Sequence, residues 1–270
     1  MIKQAIIPLA GLGTRLLPLT SVLPKELLPI NGKPGLEYIL DECLEAGIKE
    51  IIFIISNKKK MIKKYYYNDA FFKKIIKEKK DKRLEFEYSK IKKFKKKIKF
   101  VYQNLPRGTG DAVLKCQRLI KSKYFLMILP DDLIIKNNSS LAMLKIHNKY
   151  NASVIAAKKV NKKDVSRWGI FRTKKFIKNN FLIKDVVEKP SIKSAPSNYA
   201  VIGRYILPKK IFEVLKKQKP GKNGEVHITD AIRTLIHQKN KFVGHVFVGK
   251  YLDCGTLEGY INSTLEMSKL

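Results

Sequence analysis

The sequence predicts an α/β fold, a doubly wound mixed sheet in a single domain over residues 1–270, with a lysine-rich helical insertion at 57–97 and a small β-rich subregion at 167–207. The first observation behind this prediction is that short apolar runs alternate with amphipathic segments along most of the chain. The second is 51-IIFII-55, whose unbroken apolar side chains are typical of a strand buried on both faces. The third is that neither an internal repeat nor a low-complexity linker divides the chain.

The first elements follow in chain order. A buried strand at 5–7 leads into a glycine-containing loop. A helix is predicted at 34–47 because proline opens it, glycine closes it, and apolar residues recur on one face. After the strand at 51–55, the lysine-rich segment interrupts the alternation. Its scattered aromatic side chains predict helices packed at the rim of the fold rather than a disordered linker.

The α/β alternation then resumes. Strands are predicted at 98–103, 125–132, 153–157 and 242–249, and helices at 110–120, 139–150, 208–217, 228–238 and 256–268. Between them, short strands at 168–172, 183–189 and 199–207 make up the β-rich subregion. Ligands of open α/β sheets bind at the carboxyl ends of strands, so unusual residues at those ends are candidates for function.

Charge is the most conspicuous feature of the composition. The formal net charge is +33, and residues 58–99 alone carry 18 lysines and one arginine against five acidic residues. A surface that binds nucleic acid usually uses arginine for bidentate phosphate and base contacts, whereas lysine dominates here. We therefore interpret the lysines as solvated surface and expect no specific nucleic-acid partner. A basic nucleic-acid-binding protein is the alternative from a different class.

The cysteines and the apolar runs give expectations for the cellular compartment and for membrane association. Three scattered cysteines without CxxC spacing argue against a disulfide framework and a structural zinc site, and they favour the reducing cytoplasm. No run approaches the ~20 apolar residues of a membrane span, so no membrane partner is expected. The four histidines lack metal-binding spacing and no serine lies in a GxSxG context, which gives nucleophilic and metal-hydrolytic mechanisms little support.

The loop 8-PLAGLGTRLLPLTSVLPKELLPINGKP-34 combines glycines with cations. Gly11 and Gly13 allow the backbone to approach an anion closely, with amide groups as donors, and Arg15 and Lys25 add two positive charges. This combination suits a polyphosphate better than a single carboxylate. The alternative is a glycine turn whose basic residues face solvent.

Carboxylates at two predicted strand ends indicate a metal site. Asp131 and Asp132 follow 125-FLMILP-130, and Asp253 follows 245-HVFVGKYL-252. Two hard carboxylates brought together from separate strand ends suit Mg²⁺, which keeps some water and substrate phosphate as ligands. Asp131 and Asp253 are the predicted pair. Asp132 is either a further ligand or a cap of the segment that follows it.

Several motifs together resemble those of the sugar-phosphate nucleotidylyltransferase family. Loop 9–34 looks like the nucleotide loop of that family, and further matches occur in family order over nearly the whole chain: 129-LPDD-132, 187-VEKP-190, 196-PSNYAVIGRYIL-207, 228-ITDAI-232 and 252-LDCGT-256. The GLGTR loop, the insertion and APSNYAVIGRY are similar to the branch that uses UTP and glucose 1-phosphate.

The resemblance implies a Rossmann-like fold and an activity. It implies that the uridylyl group of UTP is transferred to glucose 1-phosphate with Mg²⁺ as cofactor, by a homodimer or homotetramer. The nearest alternatives within the family are a glucose-1-phosphate thymidylyltransferase and an N-acetylglucosamine-1-phosphate uridylyltransferase.

The resemblance also implies roles for single residues. Arg15 and Lys25 would hold the triphosphate, and Lys189 would bind the phosphate of the sugar substrate. The nucleotide would be bound by Ala10, Gly11, Gly13, Glu26, Gln103 and Gly108. The sugar would be bound by Gly169, Glu188, Val201 and Gly203, and Mg²⁺ by Asp131 and Asp253.

Three of these residues have plainer interpretations when read alone. Glu188 and Lys189 could form a surface ion pair, and Gln103 could make an ordinary hydrogen bond at a strand end. The base loop 103-QNLPRGTGDAV-113 departs from the lysine-glycine-leucine-glycine-histidine run usual in the family. Trp168 stands where the family often has tyrosine.

Overall fold

The computed structural model describes residues 2–67, 70–221 and 224–269. The strands within them are β1 (Gln4–Pro8), β2 (Pro29–Ile30), β3 (Lys33–Pro34), β4 (Glu50–Ile55), β5 (Ile98–Tyr102), β6 (Tyr124–Ile128), β7 (Asp132–Ile135), β8 (Ser153–Lys159), β9 (Ile170–Ile177), β10 (Asn180–Val187), β11 (Tyr199–Pro208), β12 (Phe242–Val246) and β13 (Lys250–Asp253). The α-helices are α1 (Gly35–Glu45), α2 (Lys60–Tyr67), α3 (Ala70–Lys79), α4 (Lys82–Lys95), α5 (Thr109–Leu114), α6 (Ser139–Tyr150), α7 (Ile211–Lys217), α8 (Ile228–His237) and α9 (Leu257–Met267).

One mixed sheet organises the described residues. Its strand order is β5-β4-β1-β6-β11-β8-β12-β10-β9. Strands β5, β4, β1 and β6 run parallel to one another, whereas β11 runs antiparallel to both β6 and β8. The predicted α/β class with a mixed sheet is confirmed. The strands of the β-rich subregion belong to this same sheet, with β11 near its centre and β9 and β10 at one end.

Apolar side chains cover both faces of the sheet, as in a doubly wound fold. On one face, α1 and α4 pack through residues that include Leu36 and Phe94. On the other face, α5, α7 and α8 pack through residues that include Val113, Phe212 and Ile232. Full burial of such a side chain contributes ~1.5–3 kcal/mol. Packing on both faces explains why β4 has a continuous apolar sequence rather than an alternating one.

Two predicted strands end earlier than expected. The strand predicted at 125–132 divides into β6 and β7 at Pro130, which has no N–H to continue a ladder. The strand predicted at 242–249 ends at Val246, and β13 then pairs with β7 in a separate antiparallel ribbon. Asp253 therefore lies on this ribbon, in register with Asp132, and not at the end of a strand of the main sheet.

The helix predicted at 110–120 is shorter in the structure. Helix α5 ends at Leu114, and the chain continues through turns closed by bonds between residues three apart, such as Leu119 N to Cys116 O at 2.9 Å. Bonds of this kind tighten the last turn of a helix, and the regular α-helical bonding ends there.

The lysine-rich insertion forms helices α2, α3 and α4, although residues 68–69 of the predicted segment lie outside the described structure. Tyr66 of α2 and Phe94 of α4 are buried in the core, whereas α3 contains no buried residue. Asp81 caps α4 by accepting hydrogen bonds from two backbone N–H groups. In the described part of the chain, no helix is long and apolar enough to cross a membrane.

Candidate active site

The glycine loop leaves the carboxyl end of β1 and turns back on itself. Gly13 adopts a φ of 71°, which favours glycine, and its carbonyl accepts a hydrogen bond from the Thr20 hydroxyl at 2.8 Å. Gly11 is exposed, and a Cβ atom added to it would have nothing within 4 Å. The space above Gly11 is therefore open to a ligand, which agrees with the expected approach of a nucleotide.

Lys25 and Asp131 form the closest ion pair of the site. Lys25 Nζ donates to Asp131 Oδ2 at 2.5 Å, and Arg15 Nη2 lies 3.7 Å from the same oxygen. Burial would lower the pKa of Lys25, but the adjacent carboxylate outweighs it and raises that pKa. Burial would likewise raise the pKa of Asp131, and Lys25 holds it below its ordinary value. Both groups therefore stay ionised, and Lys25 and Arg15 lie beside this carboxylate as two cations.

A second ion pair, which the sequence did not indicate, lies beneath the loop. Lys59 Nζ donates to both carboxylate oxygens of Glu26, at 2.7 and 2.8 Å, and both side chains are almost fully buried. Burial lowers the pKa of Lys59. The carboxylate of Glu26 is thus committed to the first turn of the insertion, and its expected contact with nucleotide stays a prediction.

Asp131 and Asp253 face the same small volume. A Cβ atom added to Gly255 would lie 2.8 Å from Asp131 Oδ2 and 3.2 Å from Asp253 Oδ1. Asp253 also accepts from the Gly255 N–H at 2.9 Å and lies 3.3 Å from Arg167 Nη2. Among the described residues, no group of three potential metal-binding side chains occurs. Two convergent carboxylates nevertheless fit Mg²⁺, because it keeps water and phosphate oxygens among its ligands.

Asp132 does not cap the segment that follows it, so that interpretation is wrong. It begins β7, and its carboxylate accepts from the Gly203 N–H at 2.9 Å and from the Tyr251 hydroxyl at 2.5 Å. Burial, together with the charge of Asp131, raises the pKa of Asp132 to about 6. Its two oxygens serve to join β7, β11 and β13.

Three of the predicted sugar residues lie in direct contact. Val201 N donates to the Gly169 carbonyl at 2.8 Å, and a Cβ atom added to Gly169 would lie 3.2 Å from both Glu188 Oε2 and Val201 Cγ2. Gly203 is two residues further along β11, where an added Cβ atom would lie 2.5 Å from Asp132 Oδ2. These residues therefore form one wall, which adjoins the acidic residues at Asp132.

Lys189 directly follows Glu188 of this wall in the chain. It adopts a φ of 42°, its N–H donates to the Trp168 carbonyl at 3.1 Å, and its side chain is exposed. Neither Glu188 nor Lys189 makes an ion pair with any residue that the structure describes, so the alternative of a surface ion pair finds no support.

Gln103 makes the strand-end hydrogen bonds of the plainer interpretation. Its Nε2 donates to the Gly108 carbonyl at 3.1 Å and to Asp111 Oδ2 at 2.7 Å. Gly108 has a φ of 93°, and a Cβ atom there would meet the Val226 carbonyl at 2.5 Å, so only glycine fits. These contacts fix the loop that follows β5, and its contact with a base stays a prediction.

A family model described as a nucleotidyl transferase matches residues 4–269, a range that includes every candidate residue above. The chain belongs to the nucleotidyl transferase family.

Individual relatives agree with this membership. The UTP–glucose-1-phosphate uridylyltransferase of Streptococcus pyogenes is 35% identical over 283 residues, covering 98% of this chain and 88% of that protein. A crystal structure of UDP-glucose pyrophosphorylase complexed with UDP-glucose matches with a TM-score of 0.88 and 37% identity, covering 100% of this chain and 99% of that one. The UTP-bound UGPase of Acinetobacter baumannii matches with a TM-score of 0.87 and 31% identity, covering 98% and 93%.

The candidate site also adjoins charged residues that sequence reasoning missed. Arg204 is fully buried, donates to both oxygens of Glu42, and donates through Nη1 to the Asp132 carbonyl at 2.5 Å. Lys158 is half-buried, and its amine lies 4.6 Å from the ring centroid of Tyr251. The position of Arg204 inside the apolar run YAVIGRYIL could have indicated that its charge is buried and paired. Lys158 offered no signal in so lysine-rich a chain.

Proposed function

We propose that this chain transfers the uridylyl group of UTP to glucose 1-phosphate, forming UDP-glucose and pyrophosphate. The observation that carries the proposal is the convergence of Arg15, Lys25 and two carboxylates at an open glycine loop, in a family member similar to proteins named for this reaction. A phosphate oxygen of the sugar substrate attacks the α-phosphorus of UTP. The bond from that phosphorus to the bridging oxygen breaks, and pyrophosphate leaves with the electron pair.

The main task of the side chains is to hold two polyanions together. A phosphate monoester has a second pKa of about 6, so at neutral pH the sugar phosphate is already an anionic nucleophile and needs no general base. Lys25 has three N–H donors and gives one to Asp131, which leaves two for phosphate oxygens. Arg15 is 63% exposed and is free to reach the same triphosphate. The ion pairs with Asp131 thus hold the largely buried Lys25 in position and keep the exposed Arg15 near it.

Asp131 and Asp253 would hold Mg²⁺ in this mechanism. When bound, the ion supplies positive charge that offsets the repulsion between the phosphate groups. Arg167 contacts Oδ2 of Asp253 and Lys25 contacts Oδ2 of Asp131, and these contacts limit the rotation of both carboxylates. The carboxylates are therefore already oriented when the ion and the nucleotide arrive.

The wall formed by Gly169, Glu188, Val201 and Gly203 would receive the sugar. Glu188 is half-buried and makes no ion pair with a described residue, so its carboxylate can accept hydrogen bonds from sugar hydroxyls. Lys189 lies next to it, exposed, and can bind the phosphate of the sugar. The two glycines leave room where side chains would otherwise fill the wall.

We further propose a homodimer or homotetramer in the reducing cytoplasm. Leu257, Ile261 and Leu265 recur every four residues on α9 and are 46%, 50% and 55% exposed, which makes an apolar stripe suited to a second copy. Free cysteines at 43, 116 and 254 agree with a reducing compartment. Light scattering after size-exclusion chromatography measures the assembly, and a strictly monomeric mass would refute it.

Pyrophosphate release tests the reaction. Purified protein with Mg²⁺ is assayed against UTP and dTTP, each combined with glucose 1-phosphate and N-acetylglucosamine 1-phosphate. We expect the highest kcat/KM for UTP with glucose 1-phosphate. If pyrophosphate is released only with another pair of substrates, the protein is a nucleotidylyltransferase of different specificity and the proposal is refuted. Lys189→Ala should raise the KM for the sugar phosphate, whereas Lys193→Ala, which removes another exposed lysine four residues away, should not.

A further inference from the structure

Ser56 carries a buried hydroxyl that the reaction scheme above does not use. The residue directly follows β4, is 5% exposed, and its Oγ makes no hydrogen bond with any residue that the structure describes. Ser56 is also the N-cap of the short turn Asn57–Lys59, a position where a serine oxygen usually accepts a backbone N–H bond. Here it makes no such bond, so its hydroxyl is directed elsewhere. An unpaired buried hydroxyl is unfavourable unless a ligand pairs with it.

The strand register shows where this hydroxyl lies. Pro8, Ile54 and Val101 are aligned across the neighbouring strands β1, β4 and β5. The backbone bonds Leu9 N to Ile54 O at 2.7 Å and Gln103 N to Ile55 O at 2.9 Å continue both ladders beyond these rows. Side chains two residues apart point to the same face of a sheet.

Two residues beyond the aligned row, Ala10, Ser56 and Gln103 therefore form the next row on the same face. The packing agrees, because Ala10 and Ile54 belong to one apolar cluster. Ser56 thus lies between the two residues expected to contact the base.

The chemistry of this row fits one edge of a pyrimidine. Ala10 offers a small apolar surface. The amide nitrogen of Gln103 is already bonded to Gly108 and Asp111, which leaves its carbonyl oxygen as an acceptor. A uracil ring carries one N–H donor between two carbonyl acceptors. A serine hydroxyl beside the glutamine can donate to one of those carbonyls.

We propose that Ser56 binds the uracil base of UTP by donating a hydrogen bond to a ring carbonyl. This inference rests on the proposed function for the identity of the nucleotide. It assigns to Ser56 a part in selecting the base that is separate from the binding of the triphosphate by Arg15 and Lys25.

Nucleotide binding to Ser56→Ala tests the inference. We expect calorimetry to show UTP affinity about five- to tenfold weaker, as for loss of one hydrogen bond. Affinity for inorganic tripolyphosphate should be unchanged. The melting temperature of the unliganded protein should be equal or higher, because the substitution removes no protein hydrogen bond. Ser56→Thr keeps the hydroxyl and should retain more UTP affinity than Ser56→Ala.

Ser153→Ala is the matched control, since Ser153 is 3% exposed at the opposite end of a strand of the same sheet. It should leave UTP affinity unchanged. The inference is overturned if Ser56→Ala binds UTP within about twofold of wild type, or if it loses tripolyphosphate affinity equally. Wild-type protein that binds UTP but releases no pyrophosphate would refute the proposed reaction alone. Wild-type protein that binds no UTP would refute both.

Discussion

Gly11→Ala separates nucleotide binding from folding more cleanly than any other change in the loop. The added methyl group would have no protein atom within 4 Å outside its chain neighbours, and Gly11 does not adopt a positive φ. We therefore expect the free energy of unfolding to be unchanged or raised by up to about 1 kcal/mol, because alanine reduces the freedom of the unfolded chain. The same methyl group would occupy the space through which a nucleotide approaches the backbone.

The expected loss of UTP affinity follows from that clash. Overpacking a well-fitted contact costs about 1–3 kcal/mol, which corresponds to roughly a 5- to 150-fold weaker dissociation constant. Calorimetric titration with UTP measures the affinity, and urea unfolding measures the stability. The KM for glucose 1-phosphate should not change, because its expected site lies within residues 169–203.

Gly13→Ala provides the contrast. Its φ of 71° and the Thr20 Cγ2 atom, 3.1 Å from an added Cβ, predict a loss of stability of about 1–2 kcal/mol even without ligand. UTP affinity equal to wild type in Gly11→Ala would show that the loop does not hold the nucleotide. A large loss of stability in Gly11→Ala would show that the space above it is not open.

Three further outcomes are expected. Asp131→Asn keeps the shape of the side chain but should lower turnover at least about a hundredfold and weaken activation in a Mg²⁺ titration; unchanged Mg²⁺ dependence would refute its role. Lys59→Met should destabilise the protein by about 3–5 kcal/mol in urea unfolding, because it leaves Glu26 buried without a partner, and adding Glu26→Leu should recover part of that loss. Burial raises the pKa of Cys116 to about 12, so at pH 8 about one thiol in ten thousand is ionised. Alkylation of Cys116 should therefore be far slower in the native protein than after unfolding, and equal rates would contradict this.

The sequence contains enough information for the main sheet because burial on both faces leaves long apolar runs. The glycine loop could also be predicted, since only a few residue types allow close approach of backbone and anion. The ribbon of β7 and β13 could not. Its apolar residues continue directly from those of β12, and only the fold shows that the chain bends at Gly249, where an added Cβ would meet the Ile135 carbonyl at 2.6 Å.

Charged residues with structural roles were the hardest to find. Lys59 stands within three consecutive lysines, and nothing in their order distinguishes the buried amine from its exposed neighbours. Asp132 follows Asp131 directly, yet one binds Lys25 and the other joins strands, because successive side chains on an extended chain point to opposite sides. Such differences arise from long-range contacts that local sequence does not encode.

Because β11 runs antiparallel to β6, a later part of the chain reaches the end of β6. The residues expected to bind the two substrates therefore come from separate parts of the sequence. The loop expected to bind the nucleotide lies within the first 34 residues, whereas the wall expected to bind the sugar is formed by Gly169, Glu188 and the first half of β11, whose Arg204 pairs with Ile128 at the end of β6. The proposed roles therefore predict that exchanging the segment 168–203 changes the preference for the sugar while the loop at 8–34 keeps its sequence. An enzyme designer could exchange that segment between relatives as a unit. The exchange should preserve the hydrogen bond from Leu129 N to Gly203 O, which joins β11 to the end of β6.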